Sequence, residues 1–343
     1  MTTTQITDLK VGEEDIDYLV EVDSEGLSIR NLSCDQMGIR DLLRSAGAPE
    51  VAQVLARPIG FAGLSDVRGF YAVTAGPATE ESELQCELNC RWRVVAGFDR
   101  LGVALERIRA HLDSGQPVLI VPSELGLAYY PESAPPGHLA ILGSLRDGVA
   151  HVYDDLEVLQ LNGRPVPIEW KDFLKASQDQ YVHWYHVERL AVQTEWIQVL
   201  TGLLDASVAA WTSAPGGNRG LAGLKSLGTW ITNWNIDTFR DSDQLTSLFL
   251  SMRFEMTAAH HILEIAVRRT MTLADTQALA ESLRQAWRCW NSVIAILVGW
   301  KAVGQVGGRT SLEAQFDRLY RAEEHVVDEM ERCRTRVQCF EPS

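Results

Sequence analysis

Cysteine is scarce in this chain. Six residues in 343 (Cys34, Cys86, Cys90, Cys289, Cys333 and Cys339) are too few to staple a chain of this length, so a disulfide scaffold is excluded and free thiols are expected. Positive charge is also in deficit. Lysine and arginine number 31 against 46 aspartates and glutamates, leaving a formal charge of −15 that opposes non-specific nucleic-acid binding and polybasic membrane docking. Long apolar runs are missing as well: the longest near the C-terminus, Val293 to Trp300, is about half a membrane span. The opening residues, MTTTQITDLKVGEED, lack the basic start and apolar stretch of a secretory signal, so a soluble, cytoplasmic protein with no membrane partner is expected.

What remains is an ordinary globular composition, 46% hydrophobic and 22% charged, which is too apolar for a disordered chain. The length suggests two domains. Ten tryptophans are present, and eight of them lie from Trp184 onward.

Residues 1–27 are acidic around Tyr18-Leu19-Val20 and read as a mobile arm or an edge strand. From Cys34, the apolar positions Met37, Ile39, Leu42 and Leu43 fall on helical spacing, with Gly47 and Pro49 as the stop, so a helix over about 34–46 is predicted. Leu101 to Leu112 repeats that pattern. Gln116 to Pro122 reads as a buried strand, and the runs at His138–Gly143 and Val149–Tyr153 flank Arg146-Asp147-Gly148, a strong hairpin signal. After Trp170 strand signals stop, and helices are predicted at 184–210, 221–233, 243–270, 273–303 and 310–337. The expected fold class is α+β, with a mixed domain over 28–175 and an all-helical domain over 176–343.

Cys34 is the first candidate for chemistry, because it opens a predicted helix whose unpaired amides and dipole favour a thiolate. The plain alternative is a small buried hydrophobe. His138, at the start of one hairpin strand, and Asp154, just after its partner strand, would meet across the antiparallel pairing. A carboxylate there could orient the imidazole while its other nitrogen faces the thiol, the logic of nucleophile, base and orienting acid used by cysteine acyl-transfer sites.

The segment Arg30-Asn31-Leu32-Ser33-Cys34, followed by Ile39, Leu42, Leu43 and Gly47, resembles the opening of the butirosin-biosynthesis protein H N-terminal family, whose members resemble papain-like cysteine peptidases. Leu112 to Val121, the pair Tyr129-Tyr130 with Pro131, His138, and Val152-Tyr153-Asp154 are similar to the rest of that pattern. This chain differs at Pro122-Ser123-Glu124, where the family carries an acid, and has a single histidine after Pro135-Pro136-Gly137. The resemblance spans 28 to about 175 and implies a papain-like fold with an appended helical domain. It also implies acyl transfer from a carrier-protein thioester to an amine in secondary-metabolite biosynthesis, with Cys34, His138 and Asp154 as nucleophile, base and orienting acid. The partners expected are an acyl or peptidyl carrier protein bearing a phosphopantetheine thioester, and a small amine acceptor. Hydrolysis of a thioester or peptide by the same residues, and a non-catalytic scaffold of the same fold, stand as alternatives. The amide of Cys34 is one oxyanion donor; Asn31 is a candidate second, and Tyr129 and Tyr130 are candidates for oxyanion or substrate contact.

Carrier proteins are themselves usually acidic, so a carrier-protein user of charge −15 needs a local basic patch, for which Arg40, Arg44, Arg91 and Arg93 are the first contributors to consider. No cofactor and no metal is expected: Cys86-x-x-x-Cys90 has no matched second pair, and His183 with His186 and His260-His261 have no carboxylate at HExxH spacing. The loop Gly216-Gly217-Asn218-Arg219-Gly220 could receive an anion at a helix start, but lacks a Walker lysine and reads better as an interhelix turn. The tryptophans Trp230, Trp234, Trp287, Trp290 and Trp300 have helix-packing spacing, though some could line an apolar acyl channel.

Overall fold

The computed structural model describes residues 34–47, 55–66, 69–75, 92–125, 139–153, 165–173, 180–189, 196–212, 218–233, 243–270, 274–303 and 308–338, together with Leu32, Ala52 and Leu127. The expected arm at 1–27 lies outside the described residues. The described part is α+β, with a two-stranded and a six-stranded antiparallel sheet followed by helices. Among the described residues, no helix is long and apolar enough to cross a membrane.

Helix α1 (Cys34–Ser45) forms as its spacing predicts, with Ile39, Leu42 and Leu43 buried. It stops at Gly47, whose positive φ of 81° lets its amide reach the Arg44 carbonyl at 2.9 Å. Strands β1 (Ala62–Asp66) and β2 (Gly69–Thr74) make a hairpin. Strand β3 (Trp92–Arg100) leads directly into α2 (Leu101–Asp113), whose buried face is Leu101, Ala104, Leu105, Ile108 and Leu112. Gly115, with φ of 77°, ends that helix and turns the chain into β4 (Val118–Ile120). Strands β5 (Ala140–Arg146) and β6 (Val149–Tyr153) form the predicted hairpin. Asp147 and Gly148 have φ of 50° and 78°, as a two-residue turn of the I′ class requires.

Strand β7 (Val166–Glu169), the short helix α3 (Trp170–Phe173) and strand β8 (Tyr181–Arg189) complete the sheet, whose order is β3-β8-β4-β5-β6-β7. Its two faces are covered differently. On one, α2 packs over Val118, Ile120, Ala140, Leu142, Val182 and Trp184; on the other, α1 packs over Leu119, Leu139 and Tyr185.

Strand β8 corrects two expectations. The sequence pattern predicts a helix from Trp184 and a mixed domain ending at 175, yet residues 181–189 form a strand that pairs with β3 along its whole length and with β4. Its Val182 and Trp184 are buried on one face and its Tyr185 on the other. A strand covered on both faces loses the polar alternation that marks a strand, so its apolar run reads equally as helix. The pair His183 and His186 therefore lies on a strand, not at i,i+3 on a helix.

The helical part begins at α4 (Trp196–Thr212) and continues through α5 (Gly220–Asn233), α6 (Asp243–Ser251), a π-helical turn (Met252–Thr257), α7 (Ala258–Thr270), α8 (Ala274–Val303) and α9 (Gly308–Gln338). Residues from the expected N-terminal domain are built into its core. Phe61 stacks on Trp290 with ring centroids 6.4 Å apart, the Ile59 amide donates to Ser207 Oγ at 2.9 Å, and Arg57 pairs with Glu255 at 2.8 Å. The β1–β2 hairpin is held the same way: Gln244 Nε2 donates to the Phe70 carbonyl at 2.8 Å, and Ser251 Oγ accepts the Val73 amide at 2.9 Å. One buried cluster thus runs from Leu42 and Leu43 of α1 through Leu55 and Phe61 to Leu204, Trp211 and Trp300.

A polar network sits inside this core. His260 is fully buried; its Nδ1 donates to the Met256 carbonyl at 2.7 Å and its Nε2 reaches Glu323 Oε2 at 3.0 Å. Trp290 Nε1 donates to the other Glu323 oxygen at 2.5 Å. Burial by itself opposes a charge on His260, but the Glu323 carboxylate and the Met256 carbonyl outweigh it, and the pKa is raised.

Residues 28–175 expressed alone lack β8 and the helical partners of β1–β2, and will show no cooperative thermal unfolding by circular dichroism, whereas the full chain will. Because the His260 pKa is raised on folding, its contribution to stability is complete below the unfolded value near 6.5 and is lost as pH rises through the higher folded value. Glu323→Leu, which strands the histidine, should cost about 3–5 kcal/mol in urea denaturation, and His260→Leu/Glu323→Leu together, which still leaves the Trp290 indole N–H without its acceptor, should recover part of it and abolish that pH dependence. An equal loss in both variants would refute the paired assignment.

Candidate active site

The described cleft nearest the sequence candidates lies between α1 and the β5–β6 hairpin, with a volume of about 460 Å³. One wall is α1, through Met37, Gly38, Asp41 and Ser45; the other is Leu139, Ile141, Gly143 and Tyr153. Gly115 and Pro117 close one end. Two glycines set its width. A Cβ at Gly38 would stand 2.8 Å from Leu119 Cδ1 and 3.5 Å from Leu139 Cβ, so the helix rests directly on β4 and on the approach to β5. A Cβ at Gly143 would meet the Tyr153 ring at 2.6 Å, so this glycine, beside a register shift in the β5–β6 pairing, lets the ring lie across its strand.

The sequence candidates stand as follows. Cys34 is the first residue of α1, and its side chain lies outside the described residues. On the helix, positions 34, 38, 41 and 45 are separated by four, three and four residues and share one face, the face that lines the cleft. Position 34 is one turn, roughly 6 Å, from Gly38 toward the N-terminus. His138 and Asp154 lie outside the described residues, as do Asn31, Tyr129 and Tyr130. Their described neighbours do not: Leu139 follows His138, Tyr153 precedes Asp154, and both line this cleft. Ile141 pairs with Tyr153, so the start of β5 and the end of β6 lie at one edge of the hairpin.

Sequence reasoning missed Gly38, Asp41, Ser45, Gly143 and Tyr153 as lining residues. The spacing from Cys34 to Ser45 could have found three of them. Asp41 is held by Arg40, whose Nε donates to Asp41 Oδ1 at 2.7 Å. Arg40 is only 5% exposed, and its Nη1 has no hydrogen-bond partner among the described residues. It is therefore unavailable to the basic patch expected of it. Arg93 is exposed but paired with Glu188 at 2.5 Å, and Arg91 lies outside the described residues.

The other motifs are absorbed by the fold. Gly216 and Gly217 lie outside the described residues, as do Cys86 and Cys90; at the described end of that loop the amide of Gly220 donates to the Phe61 carbonyl at 2.7 Å and that of Gly223 to the Arg219 carbonyl at 2.8 Å, so the start of α5 is bonded to the approach to β1. On the sheet face away from the cleft, His186 stacks on Trp184 and meets the His111 ring at a tilt, and its Nε2 meets Glu188 at 3.2 Å. Burial, aided by His111 and Arg93, holds its pKa below the ordinary imidazole value against the pull of Glu188. Cys289 and Cys333 are buried thiols, and burial with the nearby Glu329 pushes Cys333 up to about 11, where it is inert at neutral pH.

No protein-family model matches this chain, and no curated protein matches it in sequence. The functional reading rests on the cleft and on the motifs quoted above.

Gly38→Val forces a branched side chain into the contact with Leu119 and Leu139. The expected cost is about 1–3 kcal/mol in urea denaturation, against a smaller loss for Gly38→Ala, which adds a single methyl.

Proposed function

We propose that the chain is a cysteine acyltransferase of papain-like fold, which takes an acyl or aminoacyl group from a carrier-protein thioester and passes it to an amine. What supports this is that Cys34 is the first residue of the helix that walls the cleft, and that His138 and Asp154 stand in the sequence beside the paired ends of the two strands that form its other wall.

The chemistry balances as two acyl exchanges. His138 takes the proton of the Cys34 thiol, and the thiolate adds to the thioester carbonyl. The carbon–sulfur bond to the pantetheine thiol breaks, and that thiol leaves with the proton from His138. The amine then adds to the Cys34 thioester, His138 accepts its proton and returns it to the departing Cys34 sulfur, and an amide is released. Asp154 holds the imidazole through both steps. The α1 N-terminus favours the thiolate and supplies the Cys34 amide to the oxyanion. The first exchange is nearly balanced in energy, and amide formation drives the second. Water in place of the amine makes the same residues a hydrolase.

Intact-protein mass spectrometry after incubation with an acyl-pantetheine thioester tests this. A covalent acyl adduct is expected on the native chain and none on Cys34→Ala; added amine should discharge the adduct as amide faster than water does. An adduct that persists in Cys34→Ala, or none on either protein, removes the reading.

A further inference from the structure

The turn that closes one end of the cleft, Ser114 to Pro117, hangs from a histidine on the opposite face of the sheet. His111 lies in the last turn of α2. Its carbonyl accepts from the Ser114 amide at 3.1 Å, the Ser114 hydroxyl at 2.7 Å and the Gln116 amide at 2.9 Å, and its ring Nδ1 donates to Gln116 Oε1 at 2.9 Å. Gly115 and Pro117, on either side of Gln116, line the cleft. A displacement of His111 therefore moves the cleft end. The His111 ring in turn rests on His186 of β8, with ring centroids 4.3 Å apart, and on Trp184 at 5.6 Å.

His186 is 9% exposed. Its Nε2 lies 3.2 Å from Glu188 Oε1, so that nitrogen carries the hydrogen and Nδ1 is left as the basic one. Nδ1 is buried and has no hydrogen-bond partner among the described residues. Acid must place its proton there, where no acceptor waits, on a ring already packed against a second histidine. The charged neighbours do not remove this penalty. From the sheet, Arg93 on β3 and Glu188 on β8 act on His186, and they pair with each other at 2.5 Å. Asp99 on β3 pairs with Arg107 of α2 at 2.9 Å and accepts the Trp184 Nε1–H at 3.1 Å. Val95 is the β3 partner of His186, and β4 and β5 present Val118, Ile120, Ala140 and Leu142 to this face. On α2, Glu106 is exposed, as are Arg109 and Asp113, which pair with each other at 3.7 Å. Burial is the largest influence on His186 and opposes its charge; His111 and Arg93 act the same way, and Glu188 acts against them. The imidazole thus holds its proton less readily with α2 docked than in water, where the ordinary value is about 6.5. Docking is fully supported above that value and loses support as pH falls through the lower docked one.

We propose that the His111–His186 contact is an acid-sensitive latch on the cleft: with His186 neutral it holds the Ser114–Pro117 turn in place, and a proton on His186 releases that turn and opens the cleft end. This goes beyond the acyltransferase reading and does not depend on it. The core pair His260 and Glu323 has the opposite dependence, its support being complete at low pH, so the helical core keeps that support where the turn loses its own.

Hydrogen exchange of the full-length chain, read by mass spectrometry from about pH 8 to about pH 5 and corrected for intrinsic amide rates, tests this. Peptides spanning residues 108–118 should lose protection as pH falls below about 6.5, by up to about tenfold per pH unit for one proton, while peptides from α9 keep theirs. His186→Phe keeps a ring against Trp184 and His111 but takes no proton, and should leave protection of 108–118 flat over that range. His325→Gln, at an exposed histidine of α9, should leave the pH dependence unchanged. Circular dichroism establishes that each variant is folded. NMR of the native chain supplies a measurement that needs no variant: the His186 ring and the Gly115 amide should titrate with one midpoint, below about 6.5. Four results overturn the latch: protection of 108–118 that does not change with pH, a loss shared equally by α9, a pH dependence that survives in folded His186→Phe, or a Gly115 amide that does not follow the His186 titration.

Discussion

The structure turns on the close approach of α1 to the sheet at Gly38. A glycine inside a helix costs about 1 kcal/mol against alanine, and here the missing Cβ is what lets the helix rest on Leu119 and Leu139. That contact sets the height of α1 above β4 and β5. The width of the cleft and the burial of Leu42 and Leu43 go with it. Gly143 does the same work on the opposite wall, where it lets the Tyr153 ring lie across its strand.

The same helix also joins the two parts of the molecule. Its Ile39, Leu42 and Leu43 belong to a buried cluster that takes in the sheet face beneath α1 and runs on through residues 55–61 into the helices, where Phe61 stacks on Trp290. The tryptophans that first marked the C-terminal half are mostly packing residues of this core, with Trp211, Trp290 and Trp300 at most 2% exposed. The polar exception, His260 with Glu323 and Trp290, ties α7, α8 and α9 together through bonds that need matched geometry on three helices. Such a network favours one packing arrangement over its close alternatives.

Charge is arranged with similar economy. The excess of acid is general, and the described arginines near α1 and β3 are mostly engaged: Arg40 by Asp41, Arg93 by Glu188, Arg107 by Asp99. What distinguishes the β3–β8 end is a pair of exposed rings, Phe98 and Tyr181, with Arg100 laid over the second.

Local signals in the sequence determined α1, α2, the long C-terminal helices and the β5–β6 hairpin, because helical spacing and Asp147-Gly148 turn chemistry act over a few residues. They also determined that Cys34 heads a helix. Only the tertiary structure decided that residues 181–189 are a strand, since pairing with β3 and β4 and burial of both faces erase the alternation that would announce it. It alone decided that residues 55–75 belong to the helical core rather than to the sheet, and that Gly38, Asp41, Ser45, Gly143 and Tyr153 share one cleft. Those facts depend on which surfaces meet across a hundred or more residues, and no short-range pattern encodes that meeting.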